Sequence, residues 1–303
     1  MKTLKKYICR PYAIVLGLGR RQFLNWVSDE QYLKLVYKMI FKKELHLDNP
    51  KTYSEKLQWM KIHDRNPLYT ILVDKKEVKN YVKDTIGKQY LIPTIGCWDE
   101  AEDINFDELP NQFVLKCNHD SGGLVICRDK IKLDKKWAKK KLSSCLKNNG
   151  YYYAREWPYK NMKPCIIAEP YIEDSESGEL PDYKFFVFNG KVKAMFIATN
   201  RYGEGETKFD FYDADFNHLD FIQGHPNATE TLKKPMCFDE MKEKAEELAK
   251  DLTAARVDFY QVNGRVYFGE ITFFHFSGLE PFVPEEWDYK FGEWLDIKSK
   301  RKD

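Results

Sequence analysis

No run of about 18 apolar residues occurs in the chain, so no segment reads as a membrane-spanning helix. No GxxxxGKS or GxxxxGKT is present, and no GxGxxG, which sets aside Walker-type phosphate loops and dinucleotide-binding turns. The seven cysteines (Cys9, Cys97, Cys117, Cys127, Cys145, Cys165, Cys237) contain no CxxC pair. An odd, dispersed set of this kind implies reduced thiols in a cytosolic protein and no zinc site. Charge of one sign is scarce too: 32% of residues are charged, yet the net charge is +2. That balance excludes a strongly basic binder of nucleic-acid polymers and an acidic disordered chain. There is no internal repeat and no low-complexity linker, so the 303 residues are expected to pack as two or three lobes of one body.

What is present is aromatic and apolar material in short, patterned runs. Residues 256–262 and 265–272 each read as a strand, joined by Asn263-Gly264. That dipeptide is the strongest short hairpin signal, because both central residues must take positive φ. Counting back from the turn puts Gln261 opposite Val266 and Asp258 roughly opposite Gly269. Asp258 and Glu270 then lie within reach of one hard cation. Both sit among apolar neighbours, where a carboxylate is costly unless a metal or a base compensates it. An ordinary hairpin with two edge carboxylates is the alternative reading.

Residues 113–118 read as a strand, 119–123 (HDSGG) as a turn and 124–127 as a return strand. Lys116 therefore stands near the mouth of a glycine-bearing loop. Backbone amides in such a loop can cradle phosphate, with the lysine neutralising it; a plain hairpin gives the same pattern. A second Asn-Gly hairpin spans residues 182–188 and 191–197 and opens with Asp182 and Lys184, which can equally pair only with each other. Residues 165–172 read as a buried strand stopped by Pro170.

The remainder is mostly helix and short strand. Residues 30–44 carry a helical apolar stripe; Ser54 is expected to cap a helix that Asn66-Pro67 breaks; Asp74 is expected inside a further helix ended by Gly87. Residues 90–93 read as a strand. Asp134 is expected to cap a basic helix to about Lys147, with Trp137 and Leu142 inward. The aromatic cluster at 151–157 is either core filler or a sugar-stacking surface. Short strands are expected at 209–212 and 216–219, then a helix capped by Asp239 and running to about Thr253, then a last helix near 286–295. The charged tail at 298–303 reads as frayed. At the N-terminus, Lys2, Lys5, Lys6 and Arg10 precede the apolar segment 12–18, and Arg20-Arg21 follow. A packing arm and a basic segment lying on a membrane surface are both compatible with that pattern.

The order of these features resembles the ATP-grasp fold, and within it the teichuronopeptide-biosynthesis (TupA-like) branch found in bacterial capsule and exopolysaccharide clusters. The segments that carry the resemblance are NPKTYSEK at 49–56, FVLKCNH at 113–119, DYKFFVFNG at 182–190, RVDFY at 256–260 and FGEITF at 268–273. They extend over about residues 48–288. The resemblance implies an α+β fold of two lobes with antiparallel sheets gripping a nucleotide, preceded by a helical N-terminal segment. The implied divisions are a basic helical arm (1–48), a helical, substrate-side region (49–110), a small lobe with the glycine loop (111–168), a large lobe with the metal site (169–297) and a charged tail (298–303).

It also implies roles, residue by residue. Lys75 and Lys116 match the lysines that contact nucleotide phosphates, and Ser121, Gly122 and Gly123 match the loop that closes over them. Glu169 matches the acid near the adenine, with the backbone through Tyr171 and Ile172 as the hinge. Asp182 matches the acid that holds the ribose, with Lys184 beside it. Asp258, Glu270 and Thr272 match the magnesium ligands, although the family usually has Asn where Thr272 stands. Arg256, with Lys116, matches the groups that stabilise the transferring phosphoryl group. ATP and Mg2+ are thus the implied cofactors. The implied activity is a cytoplasmic ATP- and Mg-dependent ligase or transferase of polysaccharide assembly, activating a carboxylate as an acyl phosphate and acting on a small-molecule or glycan acceptor. Alternatives are a glycan kinase or glycosyltransferase of the same pathway, and a catalytically silent nucleotide-binding subunit of a membrane-associated complex. Asp213-Ala-Asp215 is the one Asp-x-Asp candidate for a glycosyltransferase, and oligomeric state is open.

Overall fold

Helices dominate the first part of the chain: α1 (Tyr12–Arg20), α2 (Asp29–Phe41), α3 (Tyr53–His63), α4 (Leu68–Val73) and α5 (Val78–Thr85). The computed structural model describes residues 11–120, 122–174, 180–201, 205–230 and 232–297; the expected tail at 298–303 lies outside them. α3 starts at Thr52, not Ser54. Thr52 has Glu55 three residues on, and the two close a reciprocal capping box, whereas Ser54 is followed at that spacing by Leu57. Asp74 lies just beyond α4 and not in a helix. Its Oδ1 accepts the backbone N–H groups of Lys76 (2.8 Å) and Glu77 (3.2 Å), which turns the chain before α5 begins.

The strand expected at 90–93 does not form. A 3-10 turn (Lys88–Tyr90) takes its start, and Pro93 offers no N–H, so pairing begins three residues later at β1 (Gly96–Trp98). There follow β2 (Phe113–Cys117), β3 (Leu124–Cys127), α6 (Lys135–Leu146), α7 (Tyr151–Ala154), β4 (Ile166–Pro170), β5 (Asp182–Phe188), β6 (Lys191–Thr199), β7 (Lys208–Asp213), β8 (His218–Leu219), β9 (Ile222–Gln223), α8 (Phe238–Leu248), β10 (Ala254–Val262), β11 (Arg265–Thr272), β12 (Phe282–Val283) and α9 (Glu286–Trp294). Asp134 caps α6 by accepting the Trp137 N–H. Trp137 itself is half-exposed, because Ala138 and Leu142, one turn apart, form the inward row instead. α8 starts from Cys237 without a side-chain cap; Asp239 sits in its first turn, and it stops at Leu248 because β10 begins six residues later.

Two antiparallel sheets carry the architecture. One has the order β1-β4-β2-β3, the other β11-β10-β5-β6-β7-β8, and β12 pairs separately with β9. Each of the two larger sheets has its own core. Phe113, Leu115 and Ala168 pack with Phe106, Leu109 and Leu142 against the four-stranded sheet. The six-stranded sheet shares one continuous core with α1 to α5, α8 and α9. β5 is buried at all seven positions, as expected for a strand covered on both faces. Two antiparallel sheets with flanking helices make this an α+β arrangement, as the resemblance implies.

Candidate active site

One face of the six-stranded sheet gathers the polar side chains. Lys184 on β5, Asp258 on β10 and Glu270 on β11 form one row, since Asp258 pairs with Lys184 on one side and Glu270 on the other. Arg256 and Thr272 pair in the next row, and Asp182 lies two residues before Lys184 on the same face. Counting from the Asn263-Gly264 turn puts Asp258 opposite Gly269; the ladder places it opposite Glu270. The difference is a bulge. Phe259 pairs with Phe268, so Gly269 is left unpaired. A Cβ at Gly269 would lie 3.0 Å from the Asp258 carbonyl oxygen and 3.3 Å from the Tyr260 ring, so any larger residue there crowds the neighbouring strand.

Within this face the acids are already held by cations. Arg256 grips Asp258 bidentately, Nε to Oδ1 at 2.7 Å and Nη2 to Oδ2 at 2.8 Å. Nη2 also reaches Glu270 Oε1 at 3.2 Å and Thr272 Oγ1 at 3.1 Å. Lys184 also donates to Asp258 Oδ2 and lies 3.2 Å from Asp182, which Arg201 also contacts. Lys75 stands 3.5 Å from Glu270 Oε2. Among the described residues three carboxylates therefore face four cations in this cluster.

The titration of these groups follows. Burial alone would raise the Glu270 carboxyl, but Lys75, Lys184, Arg256 and Arg201 outweigh it and hold the group well below the usual carboxylate range. Burial pulls Lys184 down, partly offset by Asp258. His275 is buried, and burial with Arg256 and Lys184 nearby pushes its imidazole far below its ordinary value. A guanidinium only donates, so at 2.8 Å from Arg256 Nη1 the neutral His275 accepts through Nδ1 and orients the arginine.

A second polar group lies across the cleft. Glu169 on β4 is buried between Lys116 and Lys79, with Nζ–Oε distances of 2.6 Å to each. Burial would raise its carboxyl; the two ammonium groups more than compensate and lower it. Lys79 also donates to the Ile92 carbonyl (2.9 Å) and Thr94 Oγ1 (2.6 Å). Lys116 and Glu169 open onto a cavity of about 330 Å3 between the sheets. Its apolar walls include Val114, Leu124 and Ile126 from the four-stranded sheet and Ala198 and Tyr260 from the six-stranded one. Arg201 lines it too, and through Asp182 it connects the cavity to the cationic face. Tyr171 and Ile172 form part of the wall just after β4.

Lys116 thus belongs with Glu169 and the cavity, while Lys75 belongs with Glu270, Arg256 and Asp258. The glycine loop links them: Lys75 Nζ donates to the Asp120 carbonyl (3.3 Å), and Lys75 N–H to the Asn118 carbonyl (3.1 Å). Asn118 Nδ2 in turn donates to Asp74 (2.8 Å). Ser121 lies outside the described residues. Gly122 N–H is taken by Asp120 Oδ1 at 2.7 Å, and Gly123 packs where a Cβ would meet Cys117 Sγ at 2.6 Å. Lys79, Arg201 and His275 complete the constellation. Nothing in sequence spacing marks Lys79 or Arg201; His275 is legible there, with His119, as a histidine near the expected site, read as a satisfied polar side chain more readily than as a base.

With the geometry in place, comparison with known proteins settles the family. A TupA-like ATPgrasp family model matches residues 55–296. The chain belongs to that family. Similar solved structures include a D-alanine–D-alanine ligase from Bacillus anthracis complexed with ATP, at 20% identity and TM-score 0.38, covering 67% of this chain and 54% of that one. Others are a D-alanine–D-alanine ligase from Helicobacter pylori (17%, TM-score 0.40, 75% and 62%) and the ATP-grasp ligase PsnB complexed with a minimal precursor (12%, TM-score 0.39, 74% and 61%). The TupA-like chain thus spans little more than half the length of these ligases, and at such TM-scores the likeness says nothing of its activity. A search of curated proteins finds no match.

Proposed function

We propose that this chain is an ATP-dependent ligase or transferase of bacterial capsule or exopolysaccharide assembly. It binds ATP between the two sheets and activates a carboxylate as an acyl phosphate for an amide-type linkage. The observation that carries the reading is the cationic face adjoining an apolar cavity. A planar base suits the apolar walls, with Lys116 and Glu169 at its edge. A triphosphate, with about four negative charges, suits the side where Lys75, Lys184, Arg201 and Arg256 gather. Asp182 is placed for a ribose hydroxyl only if Arg201 or Lys184 releases it.

The donor set fits magnesium when nucleotide is also present. Among the described residues no three acids, histidines or cysteines form a metal cluster. Asp258 and Glu270 face each other with the Thr272 hydroxyl 3.4 Å from Glu270, and magnesium is commonly held by one or two carboxylates plus phosphate oxygens. Bound there, the ion neutralises phosphoryl oxygens. Arg256 and Lys75 hold the transferring group in line, and positioning with charge stabilisation supplies the catalysis without a protein nucleophile.

Glycan phosphorylation at the same site is the second reading, and it differs only in the acceptor. A glycosyltransferase built on Asp213-Ala-Asp215 is disfavoured: Asp213 already accepts the Asp215 and Asn217 backbone N–H groups and the Asn217 side chain within its own turn. The place of work is the cytoplasm, which the free cysteines favour. The decisive experiment incubates the protein with ATP, magnesium and a panel of uronic acids and amino acids. Carboxylate-dependent release of ADP is expected. Phosphorylated glycan without amide selects the kinase, release of AMP overturns the acyl-phosphate route, and ATP binding without turnover selects a silent subunit.

A further inference from the structure

From Tyr12 onward the N-terminal arm is packed onto the body, and it turns apolar side chains outward. α1 buries Leu16 and Gly19. Gly19 backs onto the Tyr32 hydroxyl so closely that a Cβ there would lie 2.3 Å from it. Tyr32 donates to the Tyr153 carbonyl at 2.8 Å, and the buried Arg155 donates to the Leu24 carbonyl at 2.8 Å. The helix ends with Gln22 at φ 65°, its N–H bonded to Gly19 and the Phe23 N–H to Leu18. Those two bonds bring Phe23 alongside Leu18.

The surface so made is unusual for a water-facing one. Ile14 and Leu18, one turn apart, are exposed. Phe23 is 65% exposed and Trp26 84% exposed. Arg20 and Arg21 flank them, and neither pairs with a carboxylate among the described residues. The charge distribution is lopsided as well. The first 28 residues contain six Lys and Arg (Lys2, Lys5, Lys6, Arg10, Arg20, Arg21) and no Asp or Glu, although the whole chain nets only +2. The rest of the chain is therefore net acidic as a whole.

We propose that this edge seats the protein on the surface of an anionic phospholipid bilayer. Phe23, Trp26, Leu18 and Ile14 enter the interfacial layer, and Arg20 and Arg21 lie against lipid phosphates. An aromatic ring with a polar edge favours that depth, and cations favour an anionic leaflet. Among the described residues no helix is long and apolar enough to cross a membrane, so the contact is one of lying on the surface. A rigid turn suits this task because the side chains it presents lose little freedom on insertion. The inference stands on the arm alone and does not depend on the nucleotide chemistry.

The test is co-sedimentation of the full chain with vesicles of phosphatidylglycerol and phosphatidylcholine, and with phosphatidylcholine alone. Binding to the anionic vesicles is expected, weakening as salt is raised. Phe23→Ala with Trp26→Ala should weaken it by about tenfold or more. Arg20→Glu with Arg21→Glu should cost about fivefold per removed cation, and further through repulsion. Lys136→Glu with Lys140→Glu on α6 should change nothing. All four arm positions are exposed, so ATP turnover and melting temperature should stay unchanged, which keeps this test separate from that of the ligase reading. Equal binding to neutral and anionic vesicles, insensitivity to the arm variants, or loss of binding in the α6 variant would each overturn the proposal. So would self-association without vesicles that Trp26→Ala abolishes, since a second copy would then cover the patch.

Discussion

Asp258 stands directly opposite Glu270, and Gly269 is the residue left out of the ladder to put it there. The bulge at that glycine is what brings the two carboxylates into one row. Gly269→Val presses a branched side chain against the Asp258 carbonyl, where it should cost about 1–3 kcal/mol in stability. Turnover of ATP should fall by far more than the stability change predicts. Melting temperature and turnover measured on one preparation separate the two effects.

Lys116→Ala and Glu270→Ala are each expected to abolish ATP turnover, by on the order of 100-fold or more, while the protein stays folded. Lys79 still neutralises Glu169 in the first variant, and in the second Arg256 keeps its bidentate grip on Asp258. Turnover retained in either variant, measured as ADP release, counts against the placement of the nucleotide.

Lys79→Met should act differently. Lys79 touches Glu169, the Ile92 carbonyl and Thr94 but not the cationic face. The expected result is an increase of about tenfold in KM for ATP, from roughly 1.4 kcal/mol of lost ordering at the cavity wall, with kcat little altered. Steady-state kinetics at varied ATP decide it.

Magnesium alone should bind weakly. Asp258 is enclosed by Arg256 and Lys184, and Glu270 by Arg256 and Lys75, so a bare dication would meet acids already paired with cations. A polyphosphate should draw Lys75 and Arg256 toward itself and release the acids. Calorimetry is expected to give no resolvable heat for magnesium without nucleotide and clear binding with a non-hydrolysable ATP analogue. Tight binding without nucleotide would contradict this account of the charges.

Asp288 on α9 supplies a pH signature remote from the site. Its Oδ1 accepts the Ser54 N–H at 2.8 Å, in the first turn of α3. Burial raises its carboxyl from 3.8 to about 6, only partly opposed by that bond. The folded state therefore holds the proton more tightly than the unfolded chain. This contribution to stability is complete below pH 3.8 and is lost as pH rises through about 6, at no more than about 1.4 kcal/mol per pH unit. Asp288→Asn should flatten the stability profile across that window in denaturant titrations.

Much of this molecule was legible in the sequence where local signals are strong. Both Asn-Gly hairpins, the buried strand β5 and the cap at Asp134 follow from turn chemistry and alternation. Asp182, Lys184, Arg256, Asp258, Glu270 and Thr272 also share one sheet face, because the period of two sets faces without knowledge of the fold. What escaped were non-local effects. The bulge at Gly269 shifts the register by one, and counting from a turn assumes none. Lys79 and Arg201 reach their acids, Glu169 and Asp182, only through tertiary packing. Ser54 lost to Thr52 because two-way bonding with Glu55 outweighs one-way capping.

The stretch just after β11 takes a left-handed course at Phe276, Ser277 and Gly278, a conformation that costs non-glycine residues about 1–2 kcal/mol each. The carbonyls of Ser277 and Gly278 receive Gln58 Nε2 at 3.0 and 2.9 Å, and Lys61 Nζ reaches Ser277 at 2.8 Å. Helix α3 is thus the mould in which that stretch is cast, although more than 200 residues separate them in sequence. A chimaera joining this sheet to different helices would inherit the charged face and forfeit the curve beside it. A change of taste between kindred enzymes is therefore as well sought on α3 as in the segment it shapes.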